Sequence, residues 1–288
     1  LSSGLTGAEN LGSLVPTHLL KIQFENSKYV FIREAIIFGL KQARACVFAG
    51  SFFALLFVST VIPLGPLPRY DFIFLGAVVI QAVLIWTKLE TTDEAKTIAL
   101  FHVVGFVLEV FKTRPEIGSW TYPEFGYLKI FSVPLYSGFM YAAVGSYISQ
   151  AWKLFHLRLT GSPGQAITVP LAAAIYLNFF THHYVYDFRW LLALLVLVVF
   201  YRTKVYFTVT KKEFSMPLPL SFVLIGFFIW IAENVATFFG AWQYPDQAVT
   251  WTLVHPGKVS SWSLLVIISF IIVANLKEYK MKYRQLVT

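Results

Sequence analysis

Two glutamates, each inside an apolar run and each followed by the same aromatic signature, are the residues of this chain best placed to do chemistry. Glu109 opens the string EVFKTRPEIGSWTYPE and Glu233 opens ENVATFFGAWQYPD. Both read Glu, three residues, Thr, a spacer, Gly, a small residue, Trp, any residue, Tyr, Pro and an acid. Thr113 thus matches Thr237, Gly118 matches Gly240, Trp120 matches Trp242 and Tyr122 matches Tyr244, with the second spacer two residues shorter. An ionisable group within a membrane helix costs about 2.5–3.5 kcal/mol on insertion scales, so two at matched positions are expected to have a function. In its acid form one glutamate could protonate a C=C bond or a leaving group. The other, ionised, would stabilise a cation shielded by Trp and Tyr faces. The structural alternative is that each acid neutralises Lys112, Arg189 or Lys258, or hydrogen-bonds to a neighbouring helix. The aromatic residues could equally be interfacial anchors, although the repeated Trp-x-Tyr-Pro spacing favours a shaped loop whose exit proline fixes.

Further polar residues fall near the same level of the chain. Asn178 precedes His182 by one helical turn, and His183, Asp187 and Arg189 follow in the NFFTHHYVYDFR stretch. Asn234, His255 and Lys258 lie around the second aromatic loop. With Trp120, Tyr122, Trp242 and Tyr244, these are the candidate substrate-binding residues. His102 lies seven residues before Glu109, on nearly the same helix face, and is a candidate proton relay or else a satisfied core histidine. His182, His183, Asp187 and His255 could in principle ligate a metal, but adjacent histidines diverge on a helix and no HExxH or HxxxH pattern accompanies them. No metal site is expected, and no cofactor can be named. A Gly-rich phosphate loop, a Walker motif and a nucleophile elbow are all absent, which removes ATPase, kinase and serine-hydrolase readings.

The elements that must position these residues are membrane helices. Of 288 residues 57% are hydrophobic and 13% charged, and mean hydropathy is +0.65. A soluble domain carries about 25% charged residues, and here the apolar residues come in long blocks. The net charge of +8 sits in loops between those blocks, which suits an anionic leaflet and not nucleic acid. A single cysteine, Cys46, excludes an intrachain disulfide.

Taken in order, residues 1–28 read as a weakly ordered polar tail without a cleavable signal. Residues 29–42 read as an interfacial amphipathic helix. Eight spans are expected at about 43–62, 71–88, 95–113, 133–152, 166–184, 188–204, 217–239 and 260–276, with LETTDEAK, which holds Glu90, a charged turn before the third and Thr92 or Asp93 its cap. Residues 278–288 form a basic tail. Gly138, Ala142 and Gly145 are spaced for close helix approach in the fourth span. The fold class is therefore an all-α polytopic bundle, residues 43–277 forming one transmembrane domain. Four helices separate the copies of the repeat, so they share orientation and a pseudo-axis along the membrane normal. The tails and even-numbered loops hold 17 of the 23 Lys and Arg residues, which predicts that both termini are cytoplasmic.

The segments KQARACVFAG, RYDFIFL, FHVVGFVLEVFKT, GSWTYPE, VPLYSGFMYAAVGSY, IYLNFFTHH, MPLPL and IAENVATFFGAWQYPDQ resemble the YoaT-like bacterial integral-membrane proteins, a family catalogued as a domain of unknown function. The resemblance runs from about residue 33 to 277 and implies a multi-pass protein of the bacterial inner membrane. It implies no reaction. The repeat by itself, a span acid followed by Gly-x-Trp-x-Tyr, is similar to motifs in membrane carotenoid cyclases and hydratases, where duplicated helical units present acids to a polyene. The chain has no Pro-x-Glu-Glu run of the cyclase kind.

Three functions are thus open. The first is an acid/base enzyme acting on a lipid or isoprenoid through Glu109 and Glu233. The second is a proton-coupled small-molecule transporter, and the third a non-catalytic membrane scaffold or lipid-binding protein. The lipid bilayer is the expected partner in every case.

Overall fold

The computed structural model describes the backbone of residues 17–287 and the side chains of residues 29–279. Nine α-helices are found among them: α1 (Thr17–Ala45), α2 (Val47–Val61), α3 (Arg69–Trp86), α4 (Thr92–Lys112), α5 (Ser137–Leu154), α6 (Gln165–Thr181), α7 (Arg189–Phe200), α8 (Leu218–Phe238) and α9 (Lys258–Val287). Helices α2 to α9 fall on the eight expected apolar runs. Among the described residues three helices are long and apolar enough to cross a membrane, namely α3, α8 and Lys258–Tyr279 of α9; Tyr29–Ala45 with Val47–Val61 makes a fourth if the bent pair is counted as one span.

Several boundaries differ from expectation for local reasons. The helix expected at 29–42 begins at Thr17, inside the stretch expected to be a weak tail; residues 1–16 of that tail lie outside the described residues. The cap of α4 is Thr91, not Thr92 or Asp93. Its side chain accepts from the Glu94 N–H while the Glu94 carboxylate accepts from the Thr91 N–H, so two orphan donors are satisfied reciprocally. Helix α7 stops at Phe200, well before Lys204. Its 12 residues span about 18 Å at 1.5 Å per residue, short of the ~30 Å hydrocarbon core.

The reason for that early stop is a small sheet, which also corrects the all-α expectation. Strands β3 (Arg158–Thr160), β4 (Lys204–Thr208) and β5 (Glu213–Pro217) pair antiparallel in that order, and β1 (Lys129–Ile130) and β2 (Val133–Pro134) form a separate short hairpin. The β-branched and aromatic KVYFT segment favours an extended backbone, and Lys211 and Lys212 form the solvated turn before β5.

Contacts between connections show that α2 to α9 alternate in direction. At one end, Arg69 at the start of α3 reaches Glu124 after α4 and the Gly240 carbonyl after α8, while Lys112 closing α4 meets His182 and His183 after α6. At the other end, Lys41 donates to the carbonyls of Leu154 and Thr208, strand β3 pairs with β4, and Gln150 donates to the Leu89 carbonyl. Each connection is thus assigned to one end, and neighbours in sequence take opposite ends.

Helix α4 packs against α5, and α8 against α9, as the two most extensive helix pairs. The first pair is closed by glycine: a Cβ on Gly145 would lie 2.2 Å from the Phe101 ring, and one on Gly105 would lie 2.3 Å from the Tyr141 ring. Much apolar surface points outward instead of inward, with Val79 60%, Val103 58%, Val198 59% and Phe228 65% exposed. Such a surface, together with three to four helices apolar enough to span a bilayer, is consistent with a membrane protein.

Candidate functional site

The site is assembled by the two aromatic loops and the helices on either side of them. Each loop leaves its helix through a left-handed glycine, Gly118 at φ 56° and Gly240 at φ 65°, a backbone region open to glycine without a Cβ penalty. The loops then meet: Thr121 and Gln243 exchange both backbone hydrogen bonds, at 2.9 and 3.0 Å. Arg69 ties both loops to α2 and α3. Its guanidinium pairs with Glu124 at 2.5 Å, donates to the Phe239 and Gly240 carbonyls, and donates to Ser59 Oγ at 2.9 Å. Asp71, one turn into α3, accepts the N–H groups of Tyr127 and Leu128 at 2.8 and 2.9 Å and so fixes the descent of the first loop.

Glu109 is 2% exposed and accepts three hydrogen bonds. Trp120 Nε1 and the Tyr122 hydroxyl donate to Oε2 at 2.6 and 2.7 Å, and the Tyr141 hydroxyl donates to Oε1 at 2.7 Å. Glu233 is 3% exposed and accepts two, from the Tyr244 hydroxyl at 2.6 Å and Trp262 Nε1 at 2.7 Å. The tyrosine of each loop therefore binds the glutamate of its own copy, and a residue of the following helix adds a further donor. The tryptophans differ: Trp120 reaches Glu109, whereas the donor indole on Glu233 belongs to Trp262 and not Trp242. Burial, reinforced by the facing carboxylates, pushes the Tyr122 and Tyr244 phenols well above their ordinary range, so both remain protonated donors.

A cleft of about 130 Å³ lies between these groups, similar in size to a cavity that admits one six-membered ring. Of the sequence candidates, Glu109, Glu233, Trp120, Trp242, Tyr244, His182, Arg189 and Lys258 line it. Lys258 places its ammonium over the Tyr244 ring at 4.5 Å and the Trp120 ring at 5.6 Å. Tyr122 stands behind the wall, gripping Glu109. His183 stands beside His182, with ring centroids 4.0 Å apart.

The other candidates are engaged elsewhere. Asn178, Asp187 and Arg189 staple the α6–α7 turn: Asn178 Nδ2 donates to Asp187 at 3.1 Å, its Oδ1 accepts the Phe188 N–H, and Arg189 pairs with Asp187 at 3.2 Å. Asn234 accepts the Val254 N–H at 2.8 Å and so pins the second loop. His255 is exposed and accepts the Gly257 N–H. His102 packs between Phe106 and Phe139, and among the described residues its Nδ1 has no hydrogen-bond partner and no hydrogen bond joins it to Glu109. No group of three or more His, Cys, Asp and Glu able to hold a metal occurs among the described residues.

Three contributors escaped the sequence reading. Tyr141 and Trp262 lie in apolar runs and read as ordinary span aromatics. Lys112, 5% exposed, reads as a counter-charge for a glutamate, yet its ammonium approaches His183 Nε2 at 2.7 Å and His182 Nε2 at 3.3 Å. The Asn178 carbonyl can only accept, so His182 Nδ1 carries the proton toward it at 2.8 Å and leaves Nε2 as an acceptor for Lys112. Burial, then Lys112 and His182, holds His183 down to about 4, a neutral ring at ordinary pH.

The end opposite this cleft also holds a buried acid. Glu90, expected in a solvated charged turn, is 3% exposed and accepts from Gln81 at 2.7 Å and from Ser146. Each carboxylate oxygen accepts one of these hydrogen bonds and the side chain lines only a 10 Å³ gap, which fits a pin between the α3–α4 turn and α5.

Comparison with known proteins follows from these features. The family model described as "Protein of unknown function (DUF817)" matches residues 34–270, which include both glutamates and both aromatic loops. The chain belongs to this family. The "Uncharacterized protein YoaT" of Bacillus subtilis (strain 168) is 56% identical over 249 residues, covering 86% of this chain and 94% of that protein. No solved structure matches the chain.

Proposed function

We propose that this chain is a multi-pass bacterial inner-membrane enzyme that performs acid–base chemistry on a lipid or isoprenoid ligand at the Glu109–Glu233 cleft. The observation that carries this reading is that two deeply buried carboxyl groups face one cavity and are held by neutral phenol and indole donors. The donor counts divide the work. A carboxylate offers about four lone-pair sites. Glu109 has three of them filled and is the fixed negative charge that stabilises a developing cation, with the Trp120 and Tyr244 rings beside it. Glu233, with two filled, keeps the capacity to accept or return a proton. Leu108, Met140, Phe179 and Leu265 supply the apolar wall for the ligand body.

In the proposed arrangement α2 to α9 are eight crossings, with α7 a short arm. The Glu-to-Asp strings are two copies of a parallel repeat about an axis along the membrane normal. Support for the repeat comes from the Thr121–Gln243 bridge, which pairs equivalent positions of the two copies, from the matched left-handed glycines and from the matched Tyr–Glu bonds. The connections holding Lys88, Lys153, Arg158, Lys204 and Lys211 share the end opposite the cleft, which supports cytoplasmic termini and a cleft toward the outer leaflet.

The test is a comparison of lipid extracts from a host lacking relatives of this chain, expressing the wild type, Glu109→Gln or Glu233→Gln. The wild type is expected to change the lipid or isoprenoid profile and both variants, folded and inserted, to leave it as in the empty host. A profile unaffected by the wild type would refute the reading. Solute uptake driven by a pH gradient in proteoliposomes would replace it with transport.

A further inference from the structure

We infer that the cleft takes an amphiphile whose head is an oxyanion, a phosphate or carboxylate group, held between Lys112 and Lys258. The inference names the substrate class of the acid–base site and rests on that reading. Buried lysines are ordinarily paired with carboxylates, and two carboxylates line this cleft. Neither is at ion-pair distance from a lysine among the described residues. Glu109 is occupied by Trp120, Tyr122 and Tyr141, Glu233 by Tyr244 and Trp262, and no ion pair among the described residues includes either acid.

The cations are correspondingly left over. Lys112 gives two of its N–H groups to the neutral rings of His182 and His183 and retains a third. The Lys258 ammonium lies over the Tyr244 and Trp120 rings and, among the described residues, has no carboxylate within ion-pair distance, Glu233 attracting it from further off. Both line the same cleft and lie close enough to repel each other through space. Arg189, at the same rim, is already committed to Asp187. Two ammonium groups thus line one cleft with no carboxylate at ion-pair distance among the described residues, although Glu109 and Glu233 lie near enough to attract them. An oxyanion between them accepts charge-assisted hydrogen bonds from both lysines and offsets their mutual repulsion. The apolar wall of Leu108, Phe179 and Leu265 then takes the adjoining methylenes.

The test uses the full chain in nanodiscs of phosphatidylcholine doped with dioleoyl phosphatidic acid, with retained lipid read by native mass spectrometry. The wild type is expected to favour phosphatidic acid by about tenfold or more, a difference of roughly 1.4 kcal/mol. The Lys112→Met, Lys258→Met double variant is expected to lose the preference, while the corresponding Arg variants keep it. The Glu109→Gln and Glu233→Gln variants, each of which removes a negative charge from the same cleft, are expected to retain phosphatidic acid at least as well as the wild type does. An unchanged lipid profile with intact binding would therefore sink the acid–base reading alone.

Inorganic phosphate, added as a competitor, distinguishes the source. If it stabilises the wild type against heat but phosphatidic acid does not displace it, the oxyanion site stands with a soluble ligand. No lipid preference in the wild type together with no stabilisation by phosphate, or a preference that survives in the double Met variant, overturns the proposal. Should that variant fail to fold, absence of any effect of either phosphatidic acid or phosphate on the wild type overturns it equally.

Discussion

Thr121 and Gln243, 122 positions apart, exchange a pair of backbone hydrogen bonds at 2.9 and 3.0 Å, each standing at the x of its own Trp-x-Tyr. The two loops that carry the tyrosines therefore hold each other in register, and neither tyrosine is placed independently. Gln243→Pro removes one donor of this bridge and is expected to cost about 1–3 kcal/mol, since a partner carbonyl is left unsatisfied. Gln243→Ala keeps the bridge and is expected to remain near wild type. Thermal melts of the two variants in detergent check the difference.

Removing the acids should separate charge from hydrogen bonding. Glu109→Leu strands three donors and Glu233→Leu strands two. The first is expected to be the more destabilised, at about 1–3 kcal/mol for each stranded group before relaxation. Glutamine is expected to be tolerated at both sites. Its oxygen can face Trp120 and Tyr122 while its amide meets Tyr141, whose hydroxyl turns to accept; at Glu233, Tyr244 turns in the same way. Equal melting temperatures for both Leu variants would contradict this order.

Gly105 is predicted to act on the cleft without lining it. A Cβ there would meet the Tyr141 ring at 2.3 Å, and Tyr141 holds Oε1 of Glu109. Gly105→Ala is expected to cost about 1–3 kcal/mol through overpacking. It should also weaken the Tyr141–Glu109 contact, seen as a further loss smaller in a Tyr141→Phe background than in the wild type. Additive losses would show that ring and carboxylate are uncoupled.

The histidine pair predicts an acid limit. Burial is the main cause that holds both rings below the ordinary 6.5, with His183 at about 4. In the unfolded chain these rings charge as pH falls through about 6.5, whereas the folded chain resists. The stability they contribute is thus fully present above pH 6.5 and is lost as pH falls toward 4. A His183→Gln variant is expected to show a shallower decline over that window in pH-dependent melts.

The sequence made the two glutamates and their loops legible because the pattern is local and written twice, so Tyr122 and Tyr244 could be assigned to the same feature as their acids. Tyr141 and Trp262 were not legible. Each reaches its acid from the next helix, and an aromatic in an apolar run looks the same whether it faces lipid or a carboxylate. Glu90 misled in the opposite way: its neighbours Thr91, Asp93 and Glu94 mark a solvated turn, and only the packing of Ser146 and Gln150 on α5 shows it buried. The hairpin of Lys204–Thr208 with Glu213–Pro217 had a readable β-branched and aromatic composition, but it lies between the spans expected at 188–204 and 217–239 and reads only as their connection.

Arg69 has a consequence for how the chain is made. Its side chain is satisfied by Glu124 and by carbonyls at Phe239 and Gly240, the last of them 171 positions further along. At a synthesis rate of about 5–20 residues per second, its guanidinium exists for roughly 10–30 s before those carbonyls emerge. The ribosome thus delivers the ligand-facing half of the clamp last, and the early helices stay unlocked until the second copy is threaded into the membrane. A chain truncated after residue 217 is expected to be inserted yet cleaved by protease at the 63–68 turn faster than the complete chain, in which Arg69 beside that turn is clamped.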